Sequence, residues 1–167
     1  MKGEQYREIS EYFKSEKKRS NTITALHDIL PLIMLLFYPI QLIYLLVTLG
    51  FSNIYFLKFT FVPLAVLIFV TLLRYIVNAK RPYELYDYEP VVNKKTKGKS
   101  FPSRHTACAF IIAMAFLYIQ LELGIIMLVL AVLIGLTRIL SGVHFIRDVI
   151  GGALIGIIPG IICFFLI

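Results

Sequence analysis

Five long apolar runs dominate this chain, at about 26–49, 54–79, 104–120, 123–141 and 145–166. Each is close to the roughly 17–25 residues that a helix needs to cross the hydrocarbon core of a bilayer. Lipid offers no water to the backbone, so runs of this kind read as helices that pair their own N–H and C=O groups. The expected fold is all-α, a polytopic membrane helix bundle of about five transmembrane helices in a single domain over residues 1–167. Hydrophobic residues make up 59% of the sequence, above the ~45–50% of a soluble domain, and the mean hydropathy is +0.81.

Residues 1–22 are polar and charged. Tyr6, Ile9 and Phe13 recur there at helical spacing, which predicts an N-terminal interfacial helix with its stripe on the bilayer surface. The polar start and the over-long run that follows do not read as a cleavable signal peptide. The formal net charge is +7, but the basic residues flank apolar spans, so anionic lipid and not nucleic acid is the expected partner. Cys108 and Cys163 sit inside spans and read as packing residues.

The connections after 49, 120 and 141 are very short, so neighbouring helices run antiparallel. One long connection, 80–103, stands out as the active-site loop. Five spans then put the N-terminus, this loop and the Ser141-Gly142 turn on one side. Gly152, Gly156 and Gly160 repeat every four residues, as in closely packed membrane helices. Lys94, Lys95, Lys97 and Lys99 read as a solvated run facing lipid headgroups.

Polar residues collect at helix ends on that one side. Arg74 and Arg81 close the second span, Ser103, Arg104 and His105 open the third, Arg138 ends the fourth, and His144, Arg147 and Asp148 open the fifth. Charges at membrane depth are costly unless paired or functional. Arginine presents a planar fork that fits phosphate oxygens, and a helix start adds free N–H groups. His144 and Asp148 are four apart and share a helix face, so the carboxylate can fix the imidazole tautomer. A second histidine leaves room for a nucleophile and a separate general acid. His27 and Asp28 have no arginine neighbours in sequence and read as interface residues outside this group.

The segments "RYIVNAKRP" (74–82), "PSRH" (102–105) and "TRILSGVHFIRD" (137–148) resemble, in order and spacing, the three motifs of the type 2 phosphatidic acid phosphatase superfamily. That superfamily also includes acid phosphatases and vanadium haloperoxidases. Arg74 stands for the usual lysine, Arg104 for glycine and Thr137 for serine, and five spans replace the six common among membrane members. The resemblance implies a phosphatase acting through a phosphohistidine. His144 is the implied nucleophile, Asp148 orients it, and His105 protonates the leaving alcohol. Arg74, Arg81, Ser103 and Arg138, with the backbone at Arg104, bind the phosphoryl oxygens, and the Arg104 side chain is counted with them. No cofactor and no metal is implied, and no acidic cluster is there to hold one.

The expected substrate is a membrane lipid phosphomonoester or diphosphate, with phosphatidylglycerophosphate or phosphatidate favoured. Two alternatives stay open: an outward-facing undecaprenyl or isoprenoid diphosphate phosphatase, and a non-catalytic lipid-phosphate binder or small transporter. The sequence leaves the oligomeric state open. Of the 17 Lys and Arg residues only Lys58 belongs near the opposite face, and discounting Arg74, Arg81, Arg104, Arg138 and Arg147 still leaves eleven against one. The positive-inside rule then predicts an integral protein of a bacterial inner membrane with its site on the cytoplasmic face.

Overall fold

In the computed structural model, which describes residues 3–94 and 96–167, every regular element among the described residues is helical. In chain order they are α1 (Gly3–Lys14), α2 (Lys17–Leu49), α3 (Ile54–Val77), α4 (Pro82–Tyr86), α5 (Arg104–Ile119), α6 (Leu121–Leu140) and α7 (Ile146–Gly160), the last running into a π-helical segment, Ile161–Leu166. By length and composition, four helical stretches can cross a membrane: Lys17–Leu49, Ile54–Tyr86, Leu121–Leu140 and Ile146–Leu166. The fifth expected span is α5, whose 16 residues cover only ~24 Å at 1.5 Å per residue. Its N-cap, Ser103, is fully buried within the protein.

Local chemistry sets the helix ends. Asn53 caps α3 by accepting from the Tyr55 N–H at 2.9 Å, and Asn78 closes it in the left-handed region at φ 41°, both familiar boundary roles. Pro82 opens α4, where its missing N–H costs nothing. The Glu84 carboxylate reaches back to the Arg81 N–H at 3.0 Å and across to the Gly98 N–H at 2.8 Å. The long connection is therefore a folded loop stapled at both ends.

The core lies around α5, which packs most extensively on α6 and α7, then on α3. Phe59, Ile111, Phe116, Met127 and Ile134 fill it, and the Phe59 and Phe116 rings meet edge to face at 5.4 Å. Small residues allow the close approach. A Cβ on Gly152 would sit 2.6 Å from Ser103 O, and one on Gly156 would sit 2.7 Å from both Ala107 O and Phe110 Cβ. Outward, α2 exposes Leu35, Ile40, Ile43 and Val47, the inverse of a water-soluble surface and the expected face toward lipid.

The N-terminal segment forms a separate helix, as expected. The helix breaks at Ser15-Glu16, and α2 begins at Lys17. Ile9 and Phe13 are half-buried, and Tyr6 packs on protein: it is 2% exposed, its ring meets Phe145 edge to face at 5.4 Å, and its hydroxyl accepts from the Ile146 N–H at 3.1 Å. Ser10 Oγ donates to Glu89 O at 2.6 Å. A helix start has free N–H groups to satisfy, and Tyr6 supplies an acceptor at the start of α7. These contacts, with Ser103 N–H to Asp148 O at 2.8 Å, bring the N-terminal helix, the 80–103 loop and the 141–145 turn to one end of the bundle. At the other end Lys58 lies over the Tyr118 ring, 5.4 Å from its centroid.

Candidate active site

Arg74, Arg81, Arg104, His105 and His144 line one cavity of about 270 Å³ at that end. The sequence groups these residues only by helix ends; the fold converges them. Arg74 Nη1 donates to Pro102 O at 2.7 Å. The Arg81 side chain donates from Nε to Gly98 O at 3.1 Å and from Nη1 to Val143 O at 3.2 Å. Both guanidiniums are thus braced by main-chain carbonyls, with remaining N–H groups available to an anion. Arg104 reaches the same cavity from an exposed position at the start of α5.

Ser103, Arg138 and Asp148 are buried and lie outside the cavity lining. Ser103 Oγ accepts from Thr106 Oγ1 at 2.9 Å. Asp148 Oδ2 accepts from Ser100 Oγ at 2.5 Å, from the Phe145 N–H at 3.0 Å and faces His144 Nδ1 at 3.4 Å. Three donors on one oxygen hold the carboxylate in place. The His144 N–H donates to Arg138 O at 3.2 Å, which ties the imidazole's own backbone to the end of α6. Arg147 is the outlier of the expected group. Its side chain is 69% exposed, with Nε 3.8 Å from Asp148 Oδ1, and it lies over the Phe145 ring.

Two expectations are corrected. Lys94, Lys97 and Lys99 line the cavity and are not simply a headgroup-facing run; Lys95 lies outside the described residues. The stapled loop folds these side chains back over the helix ends. Lys94 is pushed down to about 8 by burial and then by Arg81, Arg138, Arg74 and Arg104, so four guanidiniums act on one ammonium. The second correction is His27, which is 6% exposed and bonded to Arg138 and Ser141. Its arginine neighbour is 111 residues away in sequence and was invisible in the local pattern. Ser100 was also missed, because an isolated serine in a basic loop carries no signal of its carboxylate partner.

The turn also sets the state of His144. Burial lowers its pKa to about 4, against the upward pull of Asp148 and with further lowering by Arg81 and Arg74. Near neutral pH the ring is uncharged, with one nitrogen lone pair available. If Nδ1 carries the proton toward Asp148, Nε2 is the free nucleophilic nitrogen. Among the described residues no group of three or more His, Cys, Asp or Glu side chains is placed to hold a metal ion.

Known proteins share this fold and parts of this sequence. The structure superposes on that of LpxE from Aquifex aeolicus with a TM-score of 0.73 and 31% identity, covering 96% of this chain and 92% of that one. A PAP2 type phosphatidylglycerolphosphate phosphatase from Bacillus subtilis shares the fold at a TM-score of 0.67 and 22% identity, over 96% and 83% of the two chains. In sequence, the bacitracin transport permease protein BcrC of Bacillus licheniformis is 38% identical over 85 residues, 49% of this chain and 42% of that protein. Phosphatidylglycerophosphatase B of Bacillus subtilis is 36% identical over 83 residues, 43% of this chain and 40% of that protein. The matched regions thus span under half the length of these curated relatives. The PAP2 superfamily profile matches residues 41–167, a stretch that contains every arginine and histidine lining the cavity, and the chain belongs to the PAP2 superfamily.

Proposed function

We propose that this protein is a membrane phosphatase that hydrolyses a phosphomonoester or diphosphate on a lipid through a phosphohistidine at His144. The observation that carries the reading is one cavity holding His144, backed by Asp148, together with His105 and three arginines. The His144 Nε2 lone pair attacks phosphorus, and the bond to the leaving oxygen breaks. The proton that this oxygen takes up passes through His105. Water then attacks the phosphohistidine and gives a proton to His105, the P–N bond breaks, and orthophosphate leaves. Arg74, Arg81 and Arg104, with the N–H groups at the start of α5, neutralise the charge on the phosphoryl oxygens. Ser103 and Arg138 support the same oxygens from the buried side.

The charge stabilisation in this scheme comes from guanidiniums, so no ion is required. Purified protein in detergent with excess chelator is expected to release phosphate from at least one member of a panel of phosphatidylglycerophosphate, phosphatidate and undecaprenyl diphosphate. Silence across the panel sinks the phosphatase reading and leaves the lipid-phosphate binder. Activity lost to chelator and restored by a divalent cation sinks metal independence.

Two substrate readings have support in the relatives' names. Phosphatidylglycerophosphatase B of Bacillus subtilis favours a phospholipid monoester. The putative undecaprenyl-diphosphatase YbjG of Escherichia coli, 45% identical over 60 residues (35% of this chain, 30% of that protein), favours an isoprenoid diphosphate. We favour the phospholipid because the basic excess favours a cytoplasmic site. Setting aside Lys94, Lys97 and Lys99 as cavity residues as well leaves eight basic residues against Lys58. Single cysteines at Ser20 and Lys97, in a variant lacking Cys108 and Cys163, are expected to resist an impermeant thiol reagent added to intact cells. Rapid labelling of both reverses the orientation and moves the isoprenoid diphosphate to first choice.

A further inference from the structure

His27 is a buried histidine that the proposed reaction does not use. Both its ring nitrogens have partners: Nδ1 lies 3.2 Å from Ser141 Oγ, and Nε2 meets Arg138 Nη1. The His27 main-chain oxygen accepts from Arg138 Nη2 at 2.9 Å. A guanidinium offers only donors, so Nε2 is the acceptor and Nδ1 carries the proton. That proton points to Ser141 Oγ, and Ser141 Oγ donates in turn to Arg138 O at 3.3 Å. Arg138 O also accepts the N–H groups of Val143 at 3.3 Å and His144 at 3.2 Å. A single circuit therefore joins α2 to the turn that carries the nucleophile.

This circuit engages both terminal nitrogens of Arg138 and leaves one. Arg138 is 2% exposed, and its Nε is buried with no hydrogen-bond partner among the described residues. A buried donor of this kind is costly until a ligand fills it. Arg138 is also one of the charges acting on Lys94, which lines the cavity. We propose that His27 is a positioning residue: it clamps the Arg138 guanidinium by its Nη1 and Nη2 ends and holds Nε–H ready for a phosphoryl oxygen. The proposal rests on the phosphatase reading of the cavity. A planar guanidinium with five N–H donors in a rigid fork, carried on a flexible stem, gains most from being fixed before the reaction.

The test uses purified protein in detergent with two readouts: vanadate affinity by direct titration, and kcat and KM for phosphate release from the best lipid of the panel. His27→Leu removes the ring acceptor. It is expected to weaken vanadate binding and lower kcat, each on the order of 10- to 100-fold, with KM within about threefold. His27→Gln keeps an acceptor for Arg138 and a donor for Ser141, and is expected to recover both to within about fivefold of wild type. In an Arg138→Lys background, His27→Leu is expected to add nothing. Wild-type vanadate affinity in His27→Leu overturns the proposal, as does equal loss in the Leu and Gln variants or full additivity with Arg138→Lys. If His27→Leu does not fold, Ser141→Ala loosens the imidazole without emptying its pocket; a loss of about 3- to 10-fold is expected, and unchanged affinity overturns the idea. A wild-type protein that neither binds vanadate nor releases phosphate fails the phosphatase reading itself and this proposal with it. An active wild type with an unaffected His27→Leu fails the positioning role alone.

Discussion

Replacing His144 by alanine is expected to abolish phosphate release while leaving a folded protein. The nucleophile is lost, and the cavity has no second imidazole to spare: His105 has the proton transfer, and the remaining lining is arginine, lysine, threonine, Tyr75 and Gly98. The fold is expected to survive because Asp148 Oδ2 keeps its bonds from Ser100 and the Phe145 N–H, so no carboxylate is stranded. Asp148→Asn is expected to be milder for turnover, roughly 10²- to 10⁴-fold, by analogy with removing the orienting acid of a Ser–His–Asp triad. It also sets an amide where Ser100 and the Phe145 N–H both donate, so some loss of stability accompanies it. Phosphate release and thermal melting in detergent separate the two effects. Near-wild-type turnover by His144→Ala would falsify the covalent mechanism.

Gly156 carries the largest expected effect on stability. A Cβ there meets Ala107 O and Phe110 Cβ at 2.7 Å and Ile111 N at 2.9 Å. Two of these are backbone atoms and the third is fixed to one, so no rotamer change makes room. Gly156→Ala forces α7 away from α5, at a cost of about 3 kcal/mol, the upper part of the overpacking range. That corresponds to a fall in Tm of roughly 10 °C for a chain of this size. The displacement also strains the Ser103 N–H to Asp148 O bond, so activity falls with stability. Gly156→Leu is not expected to yield a monodisperse protein. Ile158→Leu, on the exposed side of the same helix, serves as the control with little change. A Gly156→Ala protein that melts within about 2 °C of wild type means the α5–α7 approach is looser than described.

The bundle was legible because lipid imposes it. An apolar run such as 123–141 has few folds open to it, and α6 follows it to within a few residues. The polar layer was legible for the same reason, since Arg74, His105 and His144 are conspicuous against apolar surroundings. What stayed hidden depended on contacts distant in sequence. Nothing near His27 hints at Arg138, and nothing near Ser100 hints at Asp148. The lysine run misled because a string of exposed-type residues has no period from which to read a fold. The Glu84 and Arg81 bonds to Gly98 help bring Lys94 and Lys97 to the cavity. The Tyr6 stripe was legible as a helix face, but its spacing held no sign of the Tyr6 contact with Phe145.

The anchoring of α1 has a consequence for how the protein comes into being. Tyr6 and the Ile146 N–H it accepts are 140 residues apart, and His27 and Arg138 are 111 apart. At about 5–20 residues per second, a ribosome needs on the order of 7–28 s between making Tyr6 and making its partner. Throughout that interval α1 and His27 are present without the groups that hold them. The cavity therefore has no assembled form while the chain is being inserted, and it closes only when the 141–145 turn and α7 join the bundle. Order of synthesis alone keeps the cavity residues of a nascent chain apart.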